Sequence, residues 1–192
     1  QFRGIKPKLV VREGDKVKTG SPLFFDKLKP EVKWASPSSG VVTSIHFGAR
    51  RIIEKIEISV EDKKPESYKS FSSSELNAAD REAVMKNILD ACIFPLIRQR
   101  PFNKVANPND VPRDIFVSAY NTAPLSVNVS KVIQNNKDQF QAGLTALSKL
   151  TGGSVYLSSQ KPMEFDNVTN VTIEGPHPAG NVGIQIHHIK PI

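Results

Sequence analysis

The sequence predicts a two-part α/β protein: a small flattened β-barrel, a helical connection, and an α/β layer on a parallel sheet. Three observations lead there. Residues 8–60 alternate apolar and polar side chains between glycine-containing turns. Residues 114–175 place short apolar runs on either side of one amphipathic helix pattern. Between them the chain turns polar and serine-rich, and no glycine occurs between Gly48 and Gly143.

Composition bounds what such a chain does. It has 192 residues, 39% hydrophobic and 23% charged, which is ordinary globular material. No apolar run approaches the roughly 20 residues of a bilayer crossing, and no charged-then-apolar leader is visible. A lone Cys92 rules out an internal disulfide framework and fits a reducing compartment. The chain opens on Gln1 and closes on Ile192, and we read it as a piece of something longer. Residues 1–64 hold 14 Lys+Arg against 8 Asp+Glu, most of the net +7. Lysine and valine alternate there, as in KVK (16–18) and VKW (32–34), with no recognisable nucleic-acid-binding motif. That is the wet face of strands, and no nucleic-acid partner is expected.

In the first part, KLVVREGDKVKTGSPLF (8–24) is broken by Glu13-Gly14-Asp15 and Thr19-Gly20-Ser21, both turn sequences. WASPSSGVVTSIHF (34–47) repeats the strand–turn–strand plan around Gly40. The two half-units resemble the biotinyl/lipoyl family of barrel-sandwich domains, through EGDxVxxGxxL and a later SPxxGxV. The resemblance implies a hairpin-tip lysine, and counting back eleven from Gly40 reaches Lys29. Its flanks match neither the biotinyl nor the lipoyl attachment pattern, and Pro30 stiffens the turn. Lys27 follows Asp26 but stands two residues nearer the preceding strand. A scaffold barrel is the expectation, with a carrier modified on Lys29 as the alternative.

The middle begins with DKKPESYKSFSSS, which reads as a linker. Ser72-x-x-Glu75 has the form of a capping box. Val84, Ile88, Leu89 and Cys92 recur at helical spacing, and Pro95 interrupts. IRQRPFNK (97–104) follows. Arg98, Arg100 and Lys104 flank Pro101-Phe102, a mixture suited to a flat carbonyl-bearing ligand: cations for the oxygens and Phe102 for the ring.

The second part opens with DIFVSA (114–119), typical of a buried parallel strand. Phe140, Leu144, Leu147 and Leu150 line one helix face, which Gly152 ends. SVYLSS and NVTNVTIEG supply two further strands, making a βαβ crossover and a Rossmann-like layer. A nucleotide loop needs glycines where the first strand meets its helix, and AYNTAPLS stands there instead. GPHPAGNVG (175–183) invites a phosphate label, but its glycines stand five and three apart and its prolines remove two amide donors. VGIQIHHI behind it alternates like a strand, so no helix N-terminus is expected there. His177 lacks a visible partner for base chemistry. His187 and His188 would face opposite sides of that strand, and no zinc set is expected.

KVKTGSPLFFDK, SPSSGVV, RQRPFNKV, IFVSAYNTAPL, GLTALSKLTGGSVY and GPHPAGNVG together resemble the A subunits of the bacterial Na+-translocating NADH:quinone oxidoreductases. AYNT stands where that family commonly has AMDT, so Asn121 replaces an acid, and IF stands for LW before Pro95. The resemblance implies a peripheral subunit on the cytoplasmic face of the bacterial inner membrane, bound to other subunits of the complex, above all to a membrane-embedded one. It implies no cofactor in this chain, with flavins, iron centre and NADH elsewhere in the complex, and it makes quinone the flat carbonyl-bearing ligand for which the residue chemistry offers Arg98, Arg100, Pro101, Phe102 and Lys104 as candidate contacts. It also implies kinship of the α/β layer with the complex I flavoprotein subunit. The expected divisions are a barrel at 1–64, a linker and helix at 65–112, and an incomplete α/β domain at 113–192.

Overall fold

The structure, a computed structural model, describes residues 2 and 4–192. The chain divides into two compact units, one of residues 1–70 with 85–107 and one of 71–84 with 108–192. The segment expected to be a linker at 65–112 is therefore shared between them.

The first unit is built on two three-stranded sheets. Strands β1 (Pro7–Leu9), β3 (Pro22–Asp26) and β4 (Lys29–Ala35) form one, in the order β1-β3-β4. Strands β2 (Lys16–Val17), β5 (Gly40–Phe47) and β6 (Ile53–Val60) form the other, in the order β2-β5-β6, and all pairings are antiparallel. Val17, Leu23 and Val42 of these strands, with Val11 from the loop after β1, make the core, each contributing roughly 1.5–3 kcal/mol by burial. The turn glycines act through geometry. Gly14 and Gly20 take φ of +90° and +102°. At Gly40 an added Cβ would lie 2.0 Å from the Ser59 carbonyl oxygen, so only glycine lets β5 and β6 approach. Asp26, also buried, closes the β3–β4 hairpin by accepting from the Lys6 and Leu28 amides at 2.9 and 3.1 Å.

The polar stretch after β6 is not a free linker. Tyr68 donates its hydroxyl to Gly20 O at 2.7 Å, the Glu66 amide bonds Thr19 O, and Ser21 Oγ donates to Glu66. It straps the Thr19–Ser21 turn of its own barrel.

Helix α1 (Ser73–Ala78) starts with the capping box read from the sequence, Ser72 and Glu75 each bonding the other's backbone amide. Helix α2 (Arg81–Asp90) buries Val84, Met85 and Ile88. It ends five residues before Pro95, in a Schellman motif. The Ile93 amide reaches Ile88 O, the Cys92 amide reaches Leu89 O, and Cys92 itself takes φ +57°. Pro95 sits instead in a 3-10 turn, Phe94–Leu96, where it and Phe94 are buried and Leu96 is exposed.

After the short hairpin of β7 (Arg98–Gln99) and β8 (Lys104–Val105), the second unit continues with β9 (Ile115–Ser118), α3 (Val129–Gln134), α4 (Lys137–Ser148), β10 (Val155–Ser159), β11 (Thr169–Thr172) and α5 (Val182–Ile189). The sheet is parallel in the order β11-β10-β9, with Phe116 and Tyr156 paired in register and stacked at 5.1 Å. Leu144 and Phe140 of α4 pack with Ile133, Val155 and Leu157 in its core.

Two expectations fail here. Helix α4 ends at Ser148, and Gly152 is not its cap. The required glycine is Gly153, whose Cβ would lie 2.0 Å from Arg113 O. The second failure is VGIQIHHI, which is helix α5, not a strand. Its inward positions are Val182, Gln185, Ile186 and Ile189, a spacing of three and four. A polar residue at the buried position 185 hides that helical period and leaves the isoleucine alternation in view.

Candidate functional site

The candidate residues of IRQRPFNK come together on the β7–β8 hairpin. Arg98 pairs with Val105 and Gln99 with Lys104, leaving Arg100–Asn103 as the tip, with Asn103 at φ +52°. The buried Phe94-Pro95 turn precedes it in the chain. Phe102 is displayed, 76% exposed, with the Lys104 ammonium 5.6 Å from its ring centroid. Pro101 is exposed beside it, and Arg100 is half-buried.

Arg98 is not displayed on that tip but bonds its backbone. One guanidinium nitrogen donates to Asn103 O, and the group lies over the Phe2 ring at 5.3 Å. Phe2 packs edge-on against Trp34 at 5.3 Å, and Trp34 stacks on Phe24 at 5.0 Å. Within this group Trp34 Nε1 and Arg98 Nε are buried without a hydrogen-bond partner. Buried donors of that kind are costly unless something accepts from them. These two donors, beside a partly exposed ring, are hydrogen-bonding capacity that the described residues do not use. The sequence reading missed Trp34 and Phe2. The available signal was the chain's single tryptophan on an inward strand position.

Lys29 is not at the hairpin tip. Lys27-Leu28 form the tip, while Lys29 opens β4 opposite Asp26 and donates to Ala106 O at 3.4 Å. Cys92 is buried, and burial first of all pushes its thiol above the ordinary value, which suppresses the reactive thiolate.

In the second unit the loop after β9 meets GPHPAGNVG. The Gly180 amide donates to Thr122 Oγ1 at 2.9 Å, and that hydroxyl lies 3.1 Å from His177 Nδ1. A Cβ on Gly180 would be 2.3 Å from the Thr122 amide nitrogen. His177 therefore has a partner, contrary to expectation, and GPHPAGNVG does lead into a helix. What remains against a phosphate loop is the glycine spacing, the two prolines, and an amide already bound to Thr122. The opposite end of α5 is tied as well. Lys190 Nζ lies 2.8 Å and Arg113 Nε 2.9 Å from Asp114 Oδ2, whose side chain is 1% exposed. Burial works against Asp114 ionising, but bonds from Lys190, the Ser154 amide and Arg113 outweigh it and hold the carboxyl below its ordinary value. His187 and His188 are neighbours on α5 with ring centroids 5.3 Å apart, not on opposite strand faces. Among the described residues no three His, Cys, Asp or Glu side chains gather as a metal set.

These features define a class: a barrel-sandwich module joined to a Rossmann-like α/β layer whose first strand-end loop is filled by the chain itself. Residues 1–61 match the family described as NqrA N-terminal barrel-sandwich hybrid domain, and residues 79–192 match the NqrA second alpha/beta domain. The chain belongs to the NqrA family. It is 39% identical over 196 residues to the A subunit of the Na(+)-translocating NADH-quinone reductase of Saccharophagus degradans, and 38% over 194 and 197 residues to those of Marinomonas sp. and Alcanivorax borkumensis. Each match covers 100% of this chain and 44% of the relative, so the chain spans less than half the length of these proteins.

Proposed function

We propose that this chain is part of the NqrA component of a Na+-translocating NADH:quinone reductase, that it docks on the cytoplasmic side against a membrane-embedded subunit, and that its first unit contacts the quinone headgroup. The observation that carries the component reading is similarity across 100% of the chain to proteins of that name. Among the described residues no helix is long and apolar enough to cross a membrane, which suits a component held by its partners. On this reading the electrons pass through flavins and an iron centre in other subunits, and this chain supplies binding and position.

Chemistry supports the quinone contact. A quinone head is flat and offers two carbonyl oxygens, which accept hydrogen bonds. Trp34 Nε1–H and Arg98 Nε–H are two buried donors without an acceptor, beside a Phe2 ring that is 39% exposed. A headgroup replacing that ring would satisfy both, with Phe102 and Lys104 outside. The test is Arg98→Met and Trp34→Phe in the complete NqrA protein within the purified complex, each checked for assembly. Arg98→Met removes a charge-assisted bond of about 1.5–3 kcal/mol and should weaken quinone binding roughly 10- to 150-fold. Trp34→Phe should weaken it by less. Parent-like binding in both assembled variants places the quinone elsewhere, and failure of the parent protein to co-purify with partners overturns the component reading itself.

A further inference from the structure

Strand β6 (Ile53–Val60) is eight residues long and lies at an edge of its sheet, paired with β5 in the order β2-β5-β6. In an antiparallel ladder alternate residues turn their amide and carbonyl toward the neighbouring strand, and those between turn theirs away. Among the described residues no backbone hydrogen bond outside the ladder with β5 involves residues 53–60. A row of backbone donors and acceptors is therefore open to a further strand. Apolar side chains stand at both ends of the row, Ile52 at 61% and Val60 at 72% exposure.

Charges commonly guard such edges, and the charges of β6 decide which strand it can accept. Lys55 and Glu57 flank Ile56 on one face of the strand, with Nζ and Oε1 2.5 Å apart. The pair is exposed, and exposed pairs contribute little to the stability of one chain. An incoming antiparallel strand suits this edge when it sets a carboxylate against Lys55 and a cation against Glu57. A second copy of β6 does both. With Ile56 opposite Ile56 of the second copy, Lys55 faces the second copy's Glu57, and Glu57 faces its Lys55. The same register brings Ile58 to the second copy's Glu54, where the pairing of β6 with β5 already shifts, and carries Ile52 toward the second copy's Val60.

We infer that β6 is a docking edge for a second copy of this chain, paired antiparallel about Ile56. The two three-stranded sheets then join into one of six, in the order β2-β5-β6-β6-β5-β2. The contact uses the same surface on both copies and closes on itself, so it makes dimers and not fibres. The backbone ladder holds the strands, while two cross-strand ion pairs and the Ile56 contact set the register. A contact of one strand a side is small, so the dimer is weak and forms as concentration rises. The inference does not depend on the quinone reading.

The experiment is sedimentation equilibrium of the whole 192-residue chain over a wide concentration range, with circular dichroism to confirm that each variant is folded. The parent should pass from monomer to dimer and no further. Lys55→Glu opposes carboxylate to carboxylate at both pairs, and Glu57→Lys opposes cation to cation. Each should weaken self-association roughly tenfold or more. Mixed in equal amounts, the two single variants should form a heterodimer, because each cation then faces a carboxylate. The double variant Lys55→Glu/Glu57→Lys exchanges the signs within one chain and should dimerise within about threefold of the parent. A parent that stays monomeric, a dimer indifferent to the single substitutions, single variants that do not associate when mixed, or a double variant no better than the singles each overturns the inference.

Discussion

Two proline-bearing loops of this molecule look alike in sequence and are put to opposite uses. RQRPFN and GPHPAGNVG are both short and basic or neutral, and each carries a cis peptide before proline, at Arg100–Pro101 and His177–Pro178. The first is a hairpin tip that displays Phe102 to solvent. The second turns inward, its Gly180 amide and His177 ring both meeting Thr122. Composition does not separate a loop that presents side chains from one that fills a hole. The partners of its amides do.

The largest effect should come from removing the inward loop's clearance. Gly180→Ala places a methyl 2.3 Å from the Thr122 nitrogen, backbone against backbone. Urea unfolding should show a loss of about 3 kcal/mol in the second unit. A variant of parental stability would mean that this loop is held no more tightly than the hairpin tip.

Next is the far end of α5. The Asp114 carboxyl is held below its ordinary value, so it contributes stability above the unfolded carboxyl pKa of about 3.9 and loses it as pH falls through the depressed folded value. The penalty of Asp114→Asn, measured in urea across pH, should be full near neutrality and shrink below about pH 4. A penalty independent of pH would show that Lys190 and Arg113 do not anchor the helix through charge.

Thr122→Val keeps the shape and deletes the acceptor, leaving the Gly180 amide unsatisfied, at a cost of about 1.5 kcal/mol in urea unfolding. The smallest effect belongs to the other loop. Phe102→Ser should change stability by no more than about 0.5 kcal/mol, because the ring is displayed and fills no core. A larger loss in thermal melting would make the tip structural and erase the contrast.

The same division explains what could be read from the chain and what could not. In the barrel, Gly14, Gly20 and Gly40 are required by local backbone geometry or by a neighbouring strand in register, so their spacing is visible in the string of residues. Ser72 and Glu75 cap α1 for the same local reason. The Lys29 assignment slipped because hairpin tips are set by register, and two residues moved the tip to Lys27-Leu28. The aromatic and arginine group of Phe2, Trp34 and Arg98 was not legible, since its members lie far apart in sequence and only packing joins them.

By itself the sequence determined the order of the parts, the barrel turns, the parallel βαβ layer and the family, because turn geometry, side-chain period and motif are local properties. Tertiary structure decided the rest. Whether VGIQIHHI became strand or helix depended on what received Gln185 and Ile186. Whether Lys63–Ser70 strapped a turn or hung free depended on Gly20 O accepting from Tyr68. The physical reason is common to both. A side chain's hydrogen-bond partner and its buried face are set by residues distant in the chain, and no local pattern carries that information.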